Sequence, residues 1–265
     1  MADALIEIEF DDVSITLGAT PVLRGLSLRV RRGETKVLLG EAGAGKSVAL
    51  KLAIGLLRPD QGRVIVLGEP VSEMPEEALY QLRRRIGIVF QESALFDSLT
   101  VRDNVAYRLD EEHAMDQEAI EARVRACLAA VELEEVMDKF PAELSGGMQR
   151  RVAIARALAT EPEIMLFDSP TGGLDPITAT AIMEQIIRLR DVNHVTSLLV
   201  THRLQDAAML ACYRWDPAQN ALRPADDTSA HTSFLVLHEH QAVFDGSGAE
   251  LNASTNPYVQ HFLQG

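Results

Sequence analysis

The chain has 265 residues, of which 47% are hydrophobic and 24% are charged, and its excess of Asp and Glu gives a formal net charge of −14. This composition provides ample material for a globular core, whereas the negative charge argues against direct binding to nucleic acid or to an anionic membrane surface. No apolar run reaches the roughly 18–20 residues of a membrane-spanning helix. The first residues lack the pattern of a signal peptide, and two cysteines are too few for a disulfide framework. We therefore expect a cytoplasmic protein that binds no nucleic acid.

The N-terminal segment alternates apolar and polar residues with the period of a half-buried strand. Residues 6–10 and 26–30 both follow this pattern, and the turn-like residues 17–21 lie between them. Alternating strands joined by turns are typical of antiparallel sheets that expose one face to water. We therefore expect a small antiparallel β-sheet at the N-terminus.

The pattern then changes to short, continuous apolar runs, which are typical of buried parallel strands. These runs alternate with helical sequence and cover residues 37–39, 86–89, 164–167 and 197–200. Their alternation with helices predicts an α/β fold around a parallel sheet. Residues 116–159 are rich in Ala, Glu, Arg and Leu, and they predict a helical insertion in that core.

The C-terminal part contains three different kinds of sequence. Residues 215–230 are polar, hold two prolines and have no periodicity, which predicts a loop. Residues 233–244 return to strand-like alternation, in which His238 and His240 share one face. We expect that face to be exposed and polar, since a pair of histidines alone is more often that than a metal site. Residues 257–263 predict a terminal helix.

A glycine-rich segment lies between the first buried strand and the helix that follows it. It matches the pattern G-x-x-x-x-G-K-[ST], whose glycines let successive backbone N–H groups turn toward phosphate oxygens. Lys46 can reach the β- and γ-phosphates, and the Ser47 hydroxyl can ligate Mg²⁺. The pattern therefore predicts a loop that binds ATP and Mg²⁺. The residues assigned to ATP binding in this segment are Gly40, Glu41, Ala42, Gly43, Ala44, Gly45, Lys46, Ser47 and Val48.

A carboxylate at the end of a buried strand is the second part of the predicted phosphate site. Asp168 follows the apolar residues 164–167, and an Asp at the carboxyl end of such a strand can hold Mg²⁺ through water. Alone, this signal is weak, because acidic strand ends are common. Together with the Lys46 loop, it predicts a complete site for ATP and Mg²⁺.

The segment that decides the family is residues 144–151, Leu-Ser-Gly-Gly-Met-Gln-Arg-Arg, which precede a helix. This segment offers a second set of phosphate-binding groups: a serine hydroxyl, two glycine amides and a helix N-terminus. The segment resembles the signature motif of ABC-type ATPases, and the resemblance extends from about residue 5 to residue 250. The signature residues are Ser145, Gly146, Gly147, Met148 and Gln149.

The resemblance implies roles for further residues. Gln91 resembles the Q-loop glutamine that touches Mg²⁺ and the attacking water, so the implied Mg²⁺ ligands are Ser47, Gln91 and Asp168. His202 resembles the switch histidine that contacts the γ-phosphate. A third segment resembles the D-loop that crosses to the other subunit, and it comprises Gly173, Leu174 and Asp175.

The resemblance also implies the architecture and a dimer. The family fold is an α/β P-loop NTPase core with a RecA-like parallel sheet, an N-terminal antiparallel β-subdomain and an inserted helical signature subdomain. Each nucleotide in this family is sandwiched between the Lys46 loop of one subunit and the Ser145 motif of its partner, which implies a second ATPase subunit, most simply in a homodimer. The expected boundaries are a single ABC ATPase domain over 1–265, with the core and β-subdomain in 1–90 and 161–250, the helical subdomain in 92–160 and a C-terminal extension in 251–265.

Two residues depart from the family pattern. The family normally has Glu after the strand-end Asp, where it orients or activates the attacking water, and here the residue is Ser169. Serine accepts no proton at neutral pH. We therefore expect the roughly 10²–10⁴-fold rate contribution of a general base to be reduced or absent. Leu17 stands where an aromatic residue usually stacks on adenine. We therefore expect ATP binding with low turnover, and the residues expected to carry catalysis are Gln91, Asp168, Ser169 and His202.

The segment after the Q-loop, residues 94–106, faces the permease in this family. This segment, residues 175–178 and the closing residues 256–263 look like the ATPases of Mla phospholipid-transport systems. The resemblance implies a cytoplasmic subunit, peripheral on the inner face of the cell membrane. Its implied partners are transmembrane permease subunits and a lipid-binding substrate protein.

Three other functions remain open at this point. Amino-acid importer ATPases share parts of the same segments, and ABC-type ATPases of iron–sulfur cofactor assembly have a similar size. Ser169 leaves a third possibility, a regulatory subunit that binds nucleotide and hydrolyses it poorly. The DNA-maintenance members of the family are disfavoured, because this chain has no sustained heptads and is acidic.

Overall fold

The computed structural model describes residues 5–113, 115–225 and 227–264. An antiparallel sheet forms first, from β1 (Ile6–Leu17), β2 (Thr20–Arg31), β4 (Gln61–Val66) and β5 (Glu69–Pro70). Its strand order is β2-β1-β4-β5. Ile8, Phe10 and Val13 of β1 are buried on the inner face, so the predicted N-terminal sheet is confirmed. The sequence patterns indicated only its first two strands.

The core is a six-stranded sheet whose strands lie in the order β12-β11-β3-β8-β7-β6. All neighbouring pairs are parallel except β11 with β12. Helices or the other sheet cover both faces, and this explains why the central strands read as continuous apolar runs. The strands are β3 (Thr35–Leu39), β6 (Ile86–Val89), β7 (Ile164–Asp168), β8 (Thr196–Val200), β11 (Thr232–His238) and β12 (Gln241–Gly246).

Helices connect the strands, and three of them lie between β6 and β7 as the predicted helical insertion. The inserted helices begin at side-chain caps, since Thr100, Asp116 and Ser145 accept hydrogen bonds from backbone N–H groups of the first turn. The helices are α1 (Lys46–Ala53), α2 (Glu76–Arg83), α3 (Val101–Glu112), α4 (Gln117–Ala130), α5 (Gly146–Leu158), α6 (Pro176–Asn193), α7 (Leu204–Cys212), α8 (Gly248–Asn252) and α9 (Pro257–Gln264). Short 3₁₀ turns cover Val71–Glu73, Glu134–Val136 and Pro141–Glu143.

Two apolar clusters lie on opposite faces of the parallel sheet. Successive residues of β3 alternate between them: Val37 and Leu39 pack with the inserted helices and α6, whereas Leu38 packs with α1 and the antiparallel sheet. Burying both faces stabilises the sheet by the hydrophobic effect, at about 25 cal/mol for each Å² of apolar surface. The strand ends that carry the candidate site are thereby held rigidly.

The predicted loop over residues 215–230 is wrong in its first part. Two short strands, β9 (Tyr213–Asp216) and β10 (Ala221–Pro224), form an antiparallel hairpin there. Trp215 packs against the core, and the Arg188 guanidinium lies 5.4 Å from the centre of its ring. The prediction failed because the two strands are polar and only four residues long. Packing of the Trp215 ring against the core outweighs the low propensity of these residues for strands.

His238 and His240 do not share a strand face, contrary to the prediction. β11 ends at His238, whereas His240 has a positive φ in the turn before β12, and its Nδ1 lies 3.2 Å from the Val22 carbonyl oxygen. The predicted terminal helix is confirmed as α9. Over the described ranges, no helix has both the length and the apolar character that crossing a membrane requires.

Candidate active site

The glycine-rich loop connects β3 to α1 at the carboxyl edge of the parallel sheet. Gly40 and Gly45 adopt φ angles of 146° and 97°, in the range that favours glycine. A Cβ on Gly45 would lie 2.6 Å from the Val22 carbonyl oxygen, and a Cβ on Gly40 would clash with the Leu237 carbonyl oxygen. The pattern of glycines therefore follows from close backbone approaches as well as from the turn. Ala42 and Gly43 are exposed at the mouth of the loop, whereas Ala44 and Val48 are half-buried behind it.

The ammonium group of Lys46 lies inside this loop. Its Nζ donates to the carbonyl oxygens of Gly40 and Glu41, each at 2.7 Å. Burial lowers the pKa of Lys46, while the nearby carboxylates of Asp168 and Glu41 act to raise it. The cation thus stands at the point where the backbone N–H groups of the loop can receive an anion.

Ser47 and Asp168 meet at the neighbouring strand end. The Ser47 hydroxyl donates to Asp168 Oδ1 at 2.9 Å, and Asp168 ends β7, paired with Val200 of β8. The predicted adjacency of these two residues is therefore present. A hydroxyl and a carboxylate oxygen side by side are hard oxygen donors of the kind that Mg²⁺ takes together with phosphate oxygens.

Gln91 and Ser169 lie close together beside this pair. A Cβ on Gly172 would be 3.2 Å from both Cγ and Cδ of Gln91, and the Gly172 N–H donates to the Ser169 carbonyl oxygen at 2.9 Å. Ser169 itself is buried and has a left-handed φ of 47°. Position 169 carries a hydroxyl in place of a carboxylate, so it supplies no proton acceptor at neutral pH.

Arg150 is a central residue of the site to which the sequence analysis assigned no role. The residue is only 3% exposed. It donates to the carbonyl oxygens of Ser169 at 3.1 Å, Pro170 at 2.6 Å and Gln91, and to Ser93 Oγ at 3.2 Å. Burial lowers the pKa of Arg150. One side chain of α5 thus holds both the end of β7 and the Q-loop.

A second charged residue that the sequence patterns missed is Asp206, at the start of α7. The residue is 1% exposed, and its carboxylate accepts from the hydroxyls of Thr171, at 2.6 Å, and Thr201, at 2.8 Å. Burial raises the pKa of Asp206, and these two hydrogen bonds act to lower it. His202 follows Thr201 and is exposed. The hydrogen bonds fix the loop that carries His202 to the loop after Ser169.

The signature residues Ser145 to Gln149 form the N-terminal end of α5. Ser145 caps the helix, since its hydroxyl accepts from the Met148 N–H at 3.3 Å, and both Ser145 and Gly146 are exposed. The Gln149 amide donates back to the Leu144 carbonyl oxygen at 3.3 Å.

The D-loop packs on the signature residues of the same chain. A Cβ on Gly147 would collide with the Thr178 side chain, and one on Gly146 would lie 3.6 Å from Leu174. Asp175 caps α6 by accepting from the backbone N–H of Thr178 at 3.0 Å. Gly173 is exposed with a φ of 76°. The signature and the D-loop therefore form one continuous surface. Leu17, the residue expected to contact adenine, is exposed at the end of β1.

Comparison with known proteins identifies the family. The sequence model of the ABC transporter family matches residues 23–172. This chain belongs to the ABC transporter family. It is an ABC-type ATPase that binds ATP, and the α/β fold with its antiparallel β-subdomain is the one predicted for that family.

Three relatives align over nearly the whole chain. The chloroplastic protein TRIGALACTOSYLDIACYLGLYCEROL 3 of Arabidopsis thaliana is 38% identical, over 99% of this chain and 75% of its own length. The Escherichia coli K12 phospholipid-transport ATP-binding protein MlaF is 34% identical, over 97% of this chain and 88% of its own length. The probable ribonucleotide transport ATP-binding protein mkl of Mycobacterium tuberculosis H37Rv is 34% identical, over 98% and 67% respectively.

A solved structure with the same fold is a dimeric ATP-binding cassette in a post-hydrolysis state, bound to ADP and Pi. It is 29% identical to this chain, with a TM-score of 0.75, and the match covers 91% of this chain and 98% of the other. The predicted family and fold are thereby confirmed, together with the ATPase class.

Proposed function

We propose that this chain is the ATP-hydrolysing subunit of a membrane transporter for a phospholipid or a related hydrophobic substrate. The observation that carries the proposal is the extent of the similarity to MlaF, which covers 97% of the chain and so continues well beyond the residues 23–172 of the family match. MlaF is named for intermembrane phospholipid transport, and the name of the Arabidopsis relative contains that of a lipid, trigalactosyldiacylglycerol.

The proposed chemistry begins with the phosphate loop. Lys46 would exchange its two carbonyl partners for β- and γ-phosphate oxygens, because a charge-assisted hydrogen bond to phosphate is stronger. Ser47, Asp168 and Gln91 would hold Mg²⁺. The 2.9 Å contact between the Ser47 hydroxyl and Asp168 supports this fit. Bound Mg²⁺ would neutralise developing charge on the phosphates.

The attacking water is the next part of the proposed mechanism. Gln91 lies beside Gly172, three residues beyond Ser169, and it can orient a water by hydrogen bonds. His202 would contact the γ-phosphate from the end of β8. Since Ser169 offers no base, positioning by these two side chains would carry more of the catalysis than in relatives with a carboxylate.

A second copy of this chain is the proposed partner at the nucleotide. Ser145 and Gly146 are exposed at the N-terminus of α5, where backbone N–H groups and the helix dipole favour an anion. In the proposed homodimer, Ser145, Gly146 and Gly147 of one subunit close on the nucleotide held by the other. Leu174 and Asp175 would lie at the same interface, since Leu174 packs beside Gly146 and Asp175 follows it in the chain.

The proposed membrane partner docks on the helical insertion. Phe96 and Tyr107 are both exposed, with their ring centres 4.5 Å apart, and they follow Gln91 along the chain. We assign this surface to transmembrane permease subunits. The chain would then be a cytoplasmic protein, peripheral on the inner face of the membrane, and a lipid-binding protein would deliver or accept the substrate.

The proposed division of the chain follows from the same roles. Residues 1–90 and 161–250 would form the nucleotide-binding core with its β-subdomain, and residues 92–160 the helical subdomain. Residues 251–265 would be a C-terminal extension. All four segments belong to one proposed ABC ATPase domain over residues 1–265.

A second candidate function is that of a poorly hydrolysing regulatory subunit, and Ser169 is the observation that favours it. A buried serine in place of the usual carboxylate leaves nucleotide binding intact while slowing release of the γ-phosphate. The two candidates differ in one measurable quantity, the rate of a single turnover by the assembled transporter.

Co-purification from native membranes tests the proposed function. The tagged full chain, extracted in mild detergent, should bring down integral-membrane permease chains together with phospholipid, both identified by mass spectrometry. Its ATPase rate in that assembly should exceed the rate of the isolated chain, and Lys46→Ala should abolish the difference. Recovery of soluble iron–sulfur assembly proteins alone, or of amino acids or ribonucleotides as the bound substrate, would contradict the proposal.

A further inference from the structure

The chain makes a tight turn directly after β6, and Gln91 lies in it. The Ser93 N–H closes this turn by donating to the Phe90 carbonyl oxygen at 3.0 Å. The next N–H, that of Ala94, donates to the Glu92 carbonyl oxygen at 2.6 Å. Since Gln91 is the second of the four residues within the first hydrogen bond, the direction of its side chain depends on the shape of the turn.

The exit from this turn has an unfavourable backbone conformation. Ser93 and Ala94 have φ angles of 60° and 50°, both in the left-handed region. Residues with a Cβ rarely adopt it, because the Cβ then crowds the following carbonyl oxygen. Two such residues in succession persist only where the surrounding structure holds them.

Arg156, in the last turn of α5, holds the main chain at both strained residues. Its guanidinium donates to the Ser93 carbonyl oxygen at 2.9 Å and to the Ala94 carbonyl oxygen at 2.7 Å. A planar guanidinium presents its N–H groups as a rigid fork, so it sets the directions of two successive carbonyl groups at once. Arg150 contributes differently, since it donates to the Ser93 hydroxyl at 3.2 Å and not to these two carbonyl oxygens.

The aromatic ring of Phe96 packs on the Arg156 guanidinium. The Arg156 Cζ lies 6.0 Å from the ring centre, within the distance of about 6 Å at which a cation is attracted to an aromatic face. Asn104 of α3, which is fully buried, fixes the main chain of Phe96. Its Oδ1 accepts from the Phe96 N–H at 2.8 Å, and its Nδ2 donates to the Phe96 carbonyl oxygen at 3.0 Å. These contacts limit the freedom of the guanidinium to leave the carbonyl groups.

We propose that Arg156 is a positioning residue for ATP hydrolysis, which holds the two left-handed residues after Gln91 so that the Gln91 amide is directed at the attacking water. Without the fork, Ser93 and Ala94 relax toward the favoured φ region, and the turn carries Gln91 away from the water. The phosphate contacts of the Lys46 loop do not depend on this cation. The role rests on the proposed hydrolysis of ATP by this chain and is independent of the substrate transported.

Single-turnover hydrolysis, with the full chain in excess over ATP and Mg²⁺, tests this role. Arg156→Ala should slow hydrolysis about 10- to 100-fold, since a misplacement of about 1 Å at the reacting groups can cost that much. The Kd for a non-hydrolysable ATP analogue should stay close to the native value, because the Lys46 loop is unchanged. Arg156→Lys should be almost as slow, since one ammonium cannot reproduce the fork. Arg125→Ala, the same change at an exposed arginine of α4, is the matched control and should keep both native values.

A double-mutant cycle with Ala94→Gly tests whether backbone strain is the cause. Glycine adopts the left-handed region about as readily as the right-handed one. In the Arg156→Ala background, Ala94→Gly should therefore raise the hydrolysis rate about fivefold, because the held conformation no longer penalises a Cβ. In the native background the gain should be smaller, since Arg156 already holds that conformation.

Three results would each overturn the role of Arg156 while leaving ATP hydrolysis in place. They are a native rate in Arg156→Lys, a Kd that rises in proportion to the fall in rate, and an equal effect of Ala94→Gly in both backgrounds. If Arg156→Ala does not fold, Arg156→Lys takes its place in the cycle. A native chain that hydrolyses ATP no faster than Lys46→Ala would instead overturn the proposed hydrolysis, and this role with it.

Discussion

Lys46 is the only cation among residues 40–47, and its ammonium is already held inside the loop by two carbonyl oxygens. Lys46→Ala should therefore weaken ATP binding by about 10- to 150-fold, the range expected when one hydrogen bond between charged groups is lost. Calorimetric titration measures the effect. Lys51→Ala, an exposed lysine of α1, is the control and should keep the native Kd; equal Kd values for both variants would contradict the site.

We expect the side chain at position 169 to set how fast the bound nucleotide is hydrolysed. Ser169→Glu should supply a carboxylate beside Gln91 and raise kcat, by up to the roughly 10²–10⁴-fold contribution of a general base. Ser169→Ala should match the native rate if the hydroxyl only fills space, and should slow the reaction if it orients water. Single-turnover hydrolysis by the assembled transporter separates these cases. No gain from Glu would show that another group already replaces the base.

Motif residues could be predicted from the sequence, whereas the side chains that hold them could not. Ser47 and Asp168 were expected to form one site, because the glycine-rich loop and the Asp at a strand end together predict binding of ATP and Mg²⁺. Arg150 and Asp206 were missed, since their importance depends on burial and on partners about 20 to 60 residues away along the chain. The only sequence signal was an arginine pair directly after the signature residues.

At the scale of elements, Arg150 fixes α5 to the Q-loop and to the end of β7. Arg150→Ala should lower the free energy of unfolding by about 2–4 kcal/mol, because it leaves several buried acceptors without a donor. Arg150→Lys should recover only part, since one ammonium cannot reach acceptors spread around a planar guanidinium. Chemical denaturation measures both variants.

The neighbouring Arg151 provides a control for that experiment. Its guanidinium donates only weakly to the Val131 carbonyl oxygen, at 3.3 Å. Arg151→Ala should cost less than about 1 kcal/mol. If the two alanine variants unfold at the same denaturant concentration, Arg150 does not hold these elements together.

Elements with strong apolar patterns were predicted and polar ones were not. β3, β7 and β8 are continuous apolar runs, because both faces of the sheet are covered. β4 begins with Gln-Gly-Arg, and the β9–β10 hairpin is short and polar. Pairing with a neighbouring strand, rather than the residues themselves, forms these last elements.

At the scale of the whole molecule, each chain holds one Lys46 loop and one signature segment. If the two act across a dimer, then mixing Ser145→Arg subunits with Lys46→Ala subunits leaves one intact composite site in the heterodimer. We expect up to about half of the native ATPase rate from that heterodimer and almost none from either variant homodimer. Inactive heterodimers, with their composition verified, would count against shared sites.

We propose that ATP hydrolysis at the Lys46 site drives the movement of a phospholipid across or between membranes. The most direct test of this proposal is transfer of a labelled phospholipid by the complete transporter reconstituted in vesicles, with and without ATP and Mg²⁺. Transfer should require ATP and should be lost in Lys46→Ala, and the rates of hydrolysis and transfer should depend on ATP concentration in the same way. Transfer at the same rate without ATP, or in Lys46→Ala, would contradict it.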